Sequence, residues 1–411
     1  MTAAFRAFWL ADTTNQLGTA IRTTSLPLVG VTVLALSPWQ MGVLTAAATT
    51  AFLLLGLPAG ALVDRWPRRR LMLIANLTRT LLLATIPITG WLGLLSFGQL
   101  VGTALLIGAM TVLYDVAGPA VVQSVVPPQR LTESNGRLQT TQAGARLAGP
   151  PLAGVVTQWT DAASTTGLSA VGYLLSALLL RRVPEAPRPD RSDQHSSLRA
   201  DVLAGLRYTF GHSAIRAIAA CGAAYNLFLN LGFAVQVLFL ADQLRLPAAS
   251  IGLLLSASAA GQVLGAATAA AWGRQFGEVR ALIVVLCLAQ PFALLLPLGW
   301  PAFATGTFVT GYGVAVYNVL QLSYRQHVCP PELFGRMAAS TRVLTWGAIP
   351  LGALAGGGLG EWIGVRATLW VAAIGGLLAP ACLLASPLRR IRTLTDPPAS
   401  VRPGGGRWPS G

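Results

Sequence analysis

The sequence has little charge. Only 10% of its 411 residues are Asp, Glu, Lys or Arg, whereas 54% are hydrophobic and the mean hydropathy is +0.60. Soluble domains carry about 25% charged residues. A soluble chain of this length would also need polar surface for two or three domains. The composition therefore excludes a soluble protein and predicts a chain that crosses a membrane many times.

Several residue types needed for common kinds of site are scarce or badly spaced. Lysine is absent, and the four cysteines and three histidines form no CxxC motif and no Cys/His cluster. No disulfide framework, metal site or other cofactor is predicted. The sequence also has no phosphate loop ending in Gly-Lys-Ser/Thr and no Ser/His/Asp constellation, so we predict neither ATP-driven activity nor an enzyme. The basic pI comes from arginines between apolar segments, which indicates membrane topology rather than a nucleic-acid partner.

Long apolar stretches fill most of the chain. A helix that crosses ~30 Å of hydrocarbon needs about 20 mostly apolar residues. The short alternating strands of a membrane barrel are not found. Twelve apolar stretches predict membrane helices near residues 8–36, 41–63, 71–94, 98–122, 138–159, 163–180, 214–240, 248–271, 279–299, 301–325, 337–360 and 363–386. The predicted fold class is an all-α membrane protein with twelve transmembrane helices.

One long polar segment divides these helices six against six. It predicts an N-terminal half at 1–180, a cytoplasmic linker at 181–213 and a C-terminal half at 214–386. Within the linker, Leu198, Val202, Leu206 and Phe210 recur at helical spacing beside arginines, which predicts an amphipathic helix on the inner membrane face. The Pro/Gly-rich tail at 387–411 is predicted to be disordered and cytoplasmic.

The two halves also resemble each other in sequence. At an offset of 203, ten identities fall between residues 108 and 154, about twice what biased composition alone would give. The pairs are Gly108/Gly311, Tyr114/Tyr317, Val116/Val319, Gln123/Gln326, Val125/Val328, Pro127/Pro330, Pro128/Pro331, Gly144/Gly347, Gly149/Gly352 and Gly154/Gly357. An even number of spans in each half makes the repeats parallel. Parallel halves of this kind bind cargo between them and rock about that site.

The arginines predict the orientation in the membrane. With both termini in the cytoplasm, 21 arginines fall in inner segments, and only Arg245 and Arg366 fall in outer loops. This asymmetry is the positive-inside pattern. No cleavable signal peptide is predicted, because the first apolar stretch is long and is followed at once by another. We therefore predict a multi-pass protein of a bacterial plasma membrane with both termini inside.

The loop after the second span carries a recognisable motif. It reads Gly60-Ala-Leu-Val-Asp64-Arg65-Trp-Pro-Arg68-Arg-Arg. This resembles the signature loop of the major facilitator superfamily, with Pro67 where the family usually has Gly. The resemblance implies the major facilitator fold and a cytoplasmic gate formed by Gly60, Asp64, Arg65 and Arg68. The alternative is that these arginines only set topology.

The fifth span resembles the antiporter motif of the same superfamily. Gly149, Pro150 and Gly154 match it, with Ala at two other glycine positions. With the segment from Ala204 to Tyr208, Arg216 and Asn226, the chain resembles the branch of drug:proton antiporters that includes macrolide-efflux proteins and the enterobactin exporter. This implies efflux, although close helix packing alone would also explain the small residues.

Ionisable residues inside the spans are candidates for function, because each costs from ~3 kcal/mol upward at mid-membrane. Asp115 and Arg146 come level on antiparallel spans. We predict a proton-coupling switch in which Asp115 takes up and releases a proton. Arg146 competes with the proton for the carboxylate. A buried structural ion pair is the alternative. Asp12, near the inner interface, is the second candidate for the coupling acid.

Other polar residues in the spans are candidates for contact with cargo. Arg22 lies too deep to reach either interface, and Asn318 in the second half occupies the position of Asp115 in the first. The predicted substrate-binding residues are Arg22, Asn318, Tyr114, Tyr317 and Asn226. A structural partner for Arg22 and simple packing of the tyrosines are the alternatives.

Together these features predict a secondary active transporter that acts as a monomer. We expect proton-coupled efflux of amphipathic small molecules, such as a drug, an antibiotic or a siderophore-like compound, by alternating access. An importer or facilitator of a small metabolite on the same fold is the first alternative. A membrane receptor or scaffold that transports nothing is the second.

Overall fold

The computed structural model describes residues 2–55, 66–185, 207–329 and 331–390, and within these ranges it contains no β-strand. The fold has twelve membrane-spanning helices in two sets of six. The first set comprises α1 (Ala3–Thr32), α2 (Pro38–Leu55), α3 (Arg68–Trp91), α4 (Phe97–Val125), α5 (Leu131–Trp159) and α6 (Ala162–Leu180). The second comprises α7 (Ser213–Leu238), α8 (Ala248–Phe276), α9 (Glu278–Ala289), α10 (Trp300–Val328), α11 (Pro331–Ile363) and α12 (Val365–Gly376).

Three spans of the second set continue beyond their α-helices. A π-helical turn at Phe239–Gln243 extends α7, and a 3-10 segment at Gln290–Leu295 extends α9. The short helix α13 (Leu378–Leu384) completes the twelfth span after α12. The predicted spans agree with these helices except at several ends. For example, α1, α5 and α11 begin five to seven residues before the predicted starts, because a helix can continue into water beyond its apolar stretch.

Helix starts and turns follow the local sequence. Thr2, Ser96 and Asp161 each accept a hydrogen bond from the backbone N–H three residues later and so cap α1, α4 and α6. Gly277 and Gly364 form the sharp turns before α9 and α12 with φ of 82° and 88°. Only glycine adopts this backbone region without strain.

Apolar composition alone identifies fewer spans than the fold contains. Within the described ranges, nine helices are long and apolar enough to cross a membrane by themselves. The remaining three spans are α1, α5 and α10, which carry several polar residues in their interiors. Polar residues inside a membrane face the bundle interior or a water-filled cavity. These three helices are therefore expected to line the functional site.

The helices pack by the same scheme in both halves. In the first half, α1 packs on α5 and α6, whereas α4 packs on α2 and α3. In the second half, α7 packs on α11 and α12, and α10 packs on α8 and α9. We call the side on which α1 begins and α6 ends the linker face, and the side of the α1–α2 turn the loop face.

Glycines of the sequence repeat occupy equivalent helix crossings. Gly108 packs on Ala48 of α2, and its counterpart Gly311 packs on Ser258 of α8. Gly149 packs on α1 and Gly352 on α7, the matching neighbour in the other half. A side chain at any of these four positions would strike its neighbour. The repeat in the sequence therefore corresponds to a repeat in the packing.

The two halves share one apolar core at the loop face and have separate cores at the linker face. The shared core joins residues such as Leu28 and Leu100 to Val235, Ile251 and Phe303 of the other half. At the linker face, one core contains only first-half residues and another contains only second-half residues. The described parts of the halves are thus sealed at the loop face and parted towards the linker face.

Two helix pairs form the seal, α5 with α8 and α2 with α11. Gly154 of α5 lies against the backbone of Ala248 and Ala249, and Gly252 of α8 lies against Pro150. In the second pair, Gly357 of α11 packs on Gly42 of α2. Small residues allow helix backbones to approach this closely in a membrane.

We expect Gly154→Leu to destabilise the protein by separating α5 from α8. Overpacking of a close contact costs typically about 1–3 kcal/mol, so the midpoint of thermal unfolding in detergent is expected to fall by several degrees. Gly144→Leu is the matched control on the same helix, because no atom lies within 4 Å of the position of an added Cβ. Equal stability of the two variants would contradict the role of Gly154 in the seal.

Some predicted segments lie outside the described residues. They include 186–206, which contains most of the predicted amphipathic helix, and 391–411, which contains most of the tail. Residues 207–211, at the end of the predicted amphipathic helix, are helical.

Candidate functional site

Three adjoining cavities lie in the interior of the bundle, one lined by the first half, one by the second half and one by both. The N-cavity, of ≈ 400 Å³, is lined by α1, α2, α4 and α5. The C-cavity, of ≈ 440 Å³, is lined by α7, α9, α10 and α11. A central cavity of ≈ 350 Å³ shares Thr23, Arg146 and Pro150 with the N-cavity and Tyr225 with the C-cavity. All three polar spans, α1, α5 and α10, contribute to these walls.

Asp115 of α4 and Arg146 of α5 both line the N-cavity. Both side chains are exposed to it. Asp115 interacts electrostatically with Arg146 and also with Arg79 of α3. Among the ion pairs of the described residues, however, none joins Asp115 to Arg146. The carboxylate therefore faces the cavity under the influence of two cations and is not held in a closed salt bridge.

Arg22 of α1 lines the same cavity and is only 9% exposed. Its Nε atom has no hydrogen-bond partner among the described residues. Asn15, about two helical turns earlier, also lines the cavity. A partly unsatisfied guanidinium at this depth can bind an acidic or carbonyl group.

Asp12 lies on the same helix but is placed differently. Its side chain is buried, and Gln16 Nε2 donates to Asp12 Oδ1 at 3.5 Å. It interacts electrostatically with Asp115. Asp12 is not among the described residues that line the N-cavity.

Arg79 is a site residue that the sequence analysis did not select. Its side chain is 1% exposed, and Nη1 donates to Asn15 Oδ1 at 2.9 Å and to Asn76 Oδ1 at 3.1 Å. The guanidinium also lies 5.3 Å from the ring centroid of Tyr114 and 5.1 Å from that of Tyr173. Arg79 therefore fixes Asn15 in the cavity wall and supplies a positive charge behind Asp115.

The duplicated tyrosines both lie in the protein interior, in unequal surroundings. Tyr114 packs against Arg79 and is not among the described residues that line the N-cavity. Its hydroxyl has no hydrogen-bond partner among the described residues. Tyr317 lines the C-cavity and its hydroxyl donates to the backbone oxygen of Ile218 at 3.3 Å. Asn318 and Asn226 line the C-cavity too. Of the five predicted substrate-binding residues, Arg22, Asn226, Tyr317 and Asn318 thus reach a cavity.

The central cavity is largely apolar and aromatic. Tyr225, Phe228 and Phe233 contribute rings, and Gln236 and Gln262 contribute amides. Pockets for amphipathic small molecules combine apolar walls with a few polar groups in this way.

The remaining predicted motifs fall at the seal and at the linker face. Gly149 and Gly154 pack against α1 and α8, and Pro150 lines two of the cavities. Arg68 lies at the start of α3. Gly60, Asp64 and Arg65 lie outside the described residues.

Two repeated bundles of six helices around central cavities define a transporter of the major facilitator class. The chain belongs to the transmembrane secretion effector family of this superfamily, whose profile matches residues 1–402. The enterobactin exporter EntS of Escherichia coli strain E2348/69 is 26% identical over 415 residues, which cover 97% of this chain and 95% of the relative. The protein is therefore a multi-pass secondary transporter of small molecules and not an enzyme.

Solved structures support the same fold. A bacterial homologue of the iron transporter ferroportin in its inward-facing state has a TM-score of 0.77 at 16% identity, covering 93% of this chain and 99% of that chain. The outward-facing state of a bacterial homologue of ferroportin, with the same coverage and identity, gives a TM-score of 0.62.

Proposed function

We propose that this protein exports amphipathic small molecules from the cytoplasm in exchange for protons. The observation that carries the proposal is the N-cavity, where the carboxylate of Asp115 is exposed beside Arg146 and close to the charge of Arg79. Export is supported by the family description and by the name of the relative that matches nearly the whole chain.

The direction of the cavities follows from the arginines. If the positive-inside pattern holds, the linker face and both termini lie in the cytoplasm. The cavities then open towards the cytoplasm, while α5–α8 and α2–α11 close the outer side. This arrangement is the cargo-loading state of an exporter. The protein resides in a bacterial plasma membrane, where one chain contains all three cavities and needs no second copy.

Coupling arises because a proton and Arg146 compete for the carboxylate of Asp115. When its carboxylate is charged, it attracts Arg146 across the N-cavity, and when it is protonated, that attraction is lost. Arg146 also lines the central cavity, so its release changes the site that holds cargo. Arg22 and the C-cavity residues Asn226, Tyr317 and Asn318 contact the cargo, and Asp12 is the second candidate for the acid.

Alternating access then requires the seal to open. The halves rock about the cavities, as in other transporters with parallel repeats. Contacts at Gly154 and Gly357 separate at the outer side, while Asp64 and Arg65 of the signature loop, with Arg68, form the gate that closes the cytoplasmic side. Protons, cargo and lipid are the partners in this cycle, and nucleic acid is not.

Transport in everted membrane vesicles tests direction and coupling together. With an acidic interior, we expect labelled enterobactin or a macrolide to accumulate inside the vesicles only while the pH gradient lasts. Dissipating the gradient with nigericin is the control. Gradient-driven accumulation only in right-side-out vesicles would instead indicate an importer, and no cargo-dependent flux in either orientation would indicate a receptor or scaffold.

A further inference from the structure

The C-cavity carries positive charge with no acid to balance it among its described lining residues. Arg325 of α10 and Arg342 of α11 both line it. The other polar groups in its wall are neutral and include Asn318, Gln321 and Thr341. The N-cavity, in contrast, contains the carboxylate of Asp115. The C-cavity therefore presents arginines without a competing carboxylate, whereas Arg22 and Arg146 in the N-cavity stand beside one.

The two arginines are close enough to repel each other electrostatically. The Nε atom of Arg325 is also buried without a hydrogen-bond partner among the described residues. An unsatisfied buried donor and an uncompensated charge both cost free energy. An anion between the two guanidinium groups would offset both costs.

An aromatic surface adjoins this charge. The guanidinium of Arg342 lies 5.0 Å from the ring centroid of Trp346, and the side chain is exposed. The same ring meets Phe52 of α2 edge to face, with centroids 5.2 Å apart. A guanidinium stacked on a ring keeps its in-plane N–H donors available for an anion. Trp346 also places this site directly against the first half.

We propose that the C-cavity binds the acidic group of an aromatic organic anion through Arg325 and Arg342. This inference rests on the proposed function, because it specifies the chemical class of the exported cargo. The proton site then lies in the first half, and the site for the anionic group of the cargo lies in the second half. Arg325 and Arg342 contact the anionic group, and Trp346 and Tyr225 contact the apolar body of the cargo.

A matched pair of fluorescent compounds tests the proposal. 1-Anilinonaphthalene-8-sulfonate and N-phenyl-1-naphthylamine share one ring system, and only the former carries a sulfonate. Their affinities are measured on the purified full-length protein in phosphatidylcholine nanodiscs, with empty nanodiscs as background. Charge-assisted hydrogen bonds are the strong ones, so Arg342→Gln and Arg325→Gln are each expected to weaken sulfonate binding by about tenfold or more. Affinity for the uncharged compound is expected to change by less than about twofold.

Two further variants test whether the effect at Arg342 depends on its charge or on its planar shape, and whether loss of any exposed arginine has the same effect. Arg342→Lys keeps the charge but not the planar fork, so an intermediate loss is expected. Arg216→Gln removes an exposed arginine whose Nη1 donates to the backbone oxygen of Phe210, and it should leave both affinities unchanged. If Arg325→Gln does not fold, Arg342→Gln carries the test alone, because its side chain is exposed.

Equal losses for both compounds, or no loss for either, would overturn the proposal. A lipid headgroup is the other source of the same anionic chemistry. If phosphatidylglycerol in the nanodiscs displaces the sulfonate from the wild-type protein, the site belongs to lipid and the cargo assignment is wrong. Binding is measured without a gradient. A negative binding result therefore does not contradict proton-coupled export. A negative export result likewise does not contradict the difference in affinity between the two compounds.

Discussion

Asp115→Asn is expected to abolish accumulation of cargo against its gradient while leaving the protein folded. Asn cannot take up or release a proton, and it reproduces the residue already present at the equivalent position, Asn318. Asp115 is exposed to the N-cavity, and in the described part of the chain it accepts no hydrogen bond and forms no ion pair. The substitution therefore removes few contacts. Uphill transport driven by a pH gradient in proteoliposomes should therefore fall to the level measured without a gradient.

Downhill exchange separates coupling from binding. The variant still has its cavities and its seal, so exchange of labelled for unlabelled cargo at equal pH should stay within about twofold of wild type. Glu185→Gln is the control, since it removes an acid of the exposed pair with Arg69 at the linker face. If Asp115→Asn still accumulates cargo with the pH gradient as the only driving force, Asp115 is not the coupling acid. The same assay on Asp12→Asn then tests the second candidate.

The helices were predictable because a membrane sets the length of every crossing. The apolar stretches of the sequence indicated all twelve spans, although only nine of the described helices are long and apolar enough to cross a membrane by themselves. Helix ends at the linker face were placed less well. The early start of α5 at Leu131, for instance, lies in a polar segment where hydropathy gives no signal.

The directions in which the cavity side chains point were not predictable from the sequence. Spacing along α4 and α5 placed Asp115 and Arg146 at the same level, and both reach the N-cavity. Whether Asp115 and Arg146 form a salt bridge depends on the rotation and tilt of α4 and α5. A single sequence does not specify these two angles. The same uncertainty explains Tyr114, which points at Arg79 and not into the cavity.

Arg79 shows what the sequence contained but did not reveal. Its charge inside a span was visible, and Asn76 three residues earlier places an amide on the same helix face. The third member, Asn15, is 64 residues away in sequence. Only the packing of α1 against its neighbours brings it to the guanidinium, so the network was not predictable without the fold.

The Arg79 network ties four helices of the first half together. Nη1 of Arg79 bonds to Asn15 of α1 and to Asn76 of α3, and Asn76 Nδ2 in turn donates to Ser176 Oγ of α6 at 2.8 Å. The rings of Tyr114 on α4 and Tyr173 on α6 lie against the guanidinium. Nε and Nη2 have no hydrogen-bond partner among the described residues. The charge is thus held by two amides and two rings, with Asp115 acting on it from a distance.

We expect Arg79→Met to impair stability and transport together. Burying the amide oxygens of Asn15 and Asn76 without a donor costs about 1–3 kcal/mol for each group, which outweighs relief from burying the charge. The midpoint of thermal unfolding should fall by several degrees, and gradient-driven accumulation should be lost because Asp115 loses one of its two cations. Arg79→Lys keeps the charge but is shorter and lacks the planar guanidinium that lies against the two tyrosine rings, so stability should fall while some coupled accumulation persists.

The contrast between these two variants distinguishes a positioning role from a purely structural one. Arg274→Met is the control, since it removes an exposed arginine at the linker end of α8 and should leave unfolding and transport unchanged. Thermal unfolding is measured in detergent, and accumulation is measured in proteoliposomes with equal amounts of folded protein. If Arg79→Met and Arg79→Lys lose coupled accumulation only in proportion to their loss of folded protein, the residue supports the fold alone. If Arg79→Lys retains coupling that Arg79→Met lacks at matched folded protein, the positive charge behind Asp115 is itself part of the proton cycle.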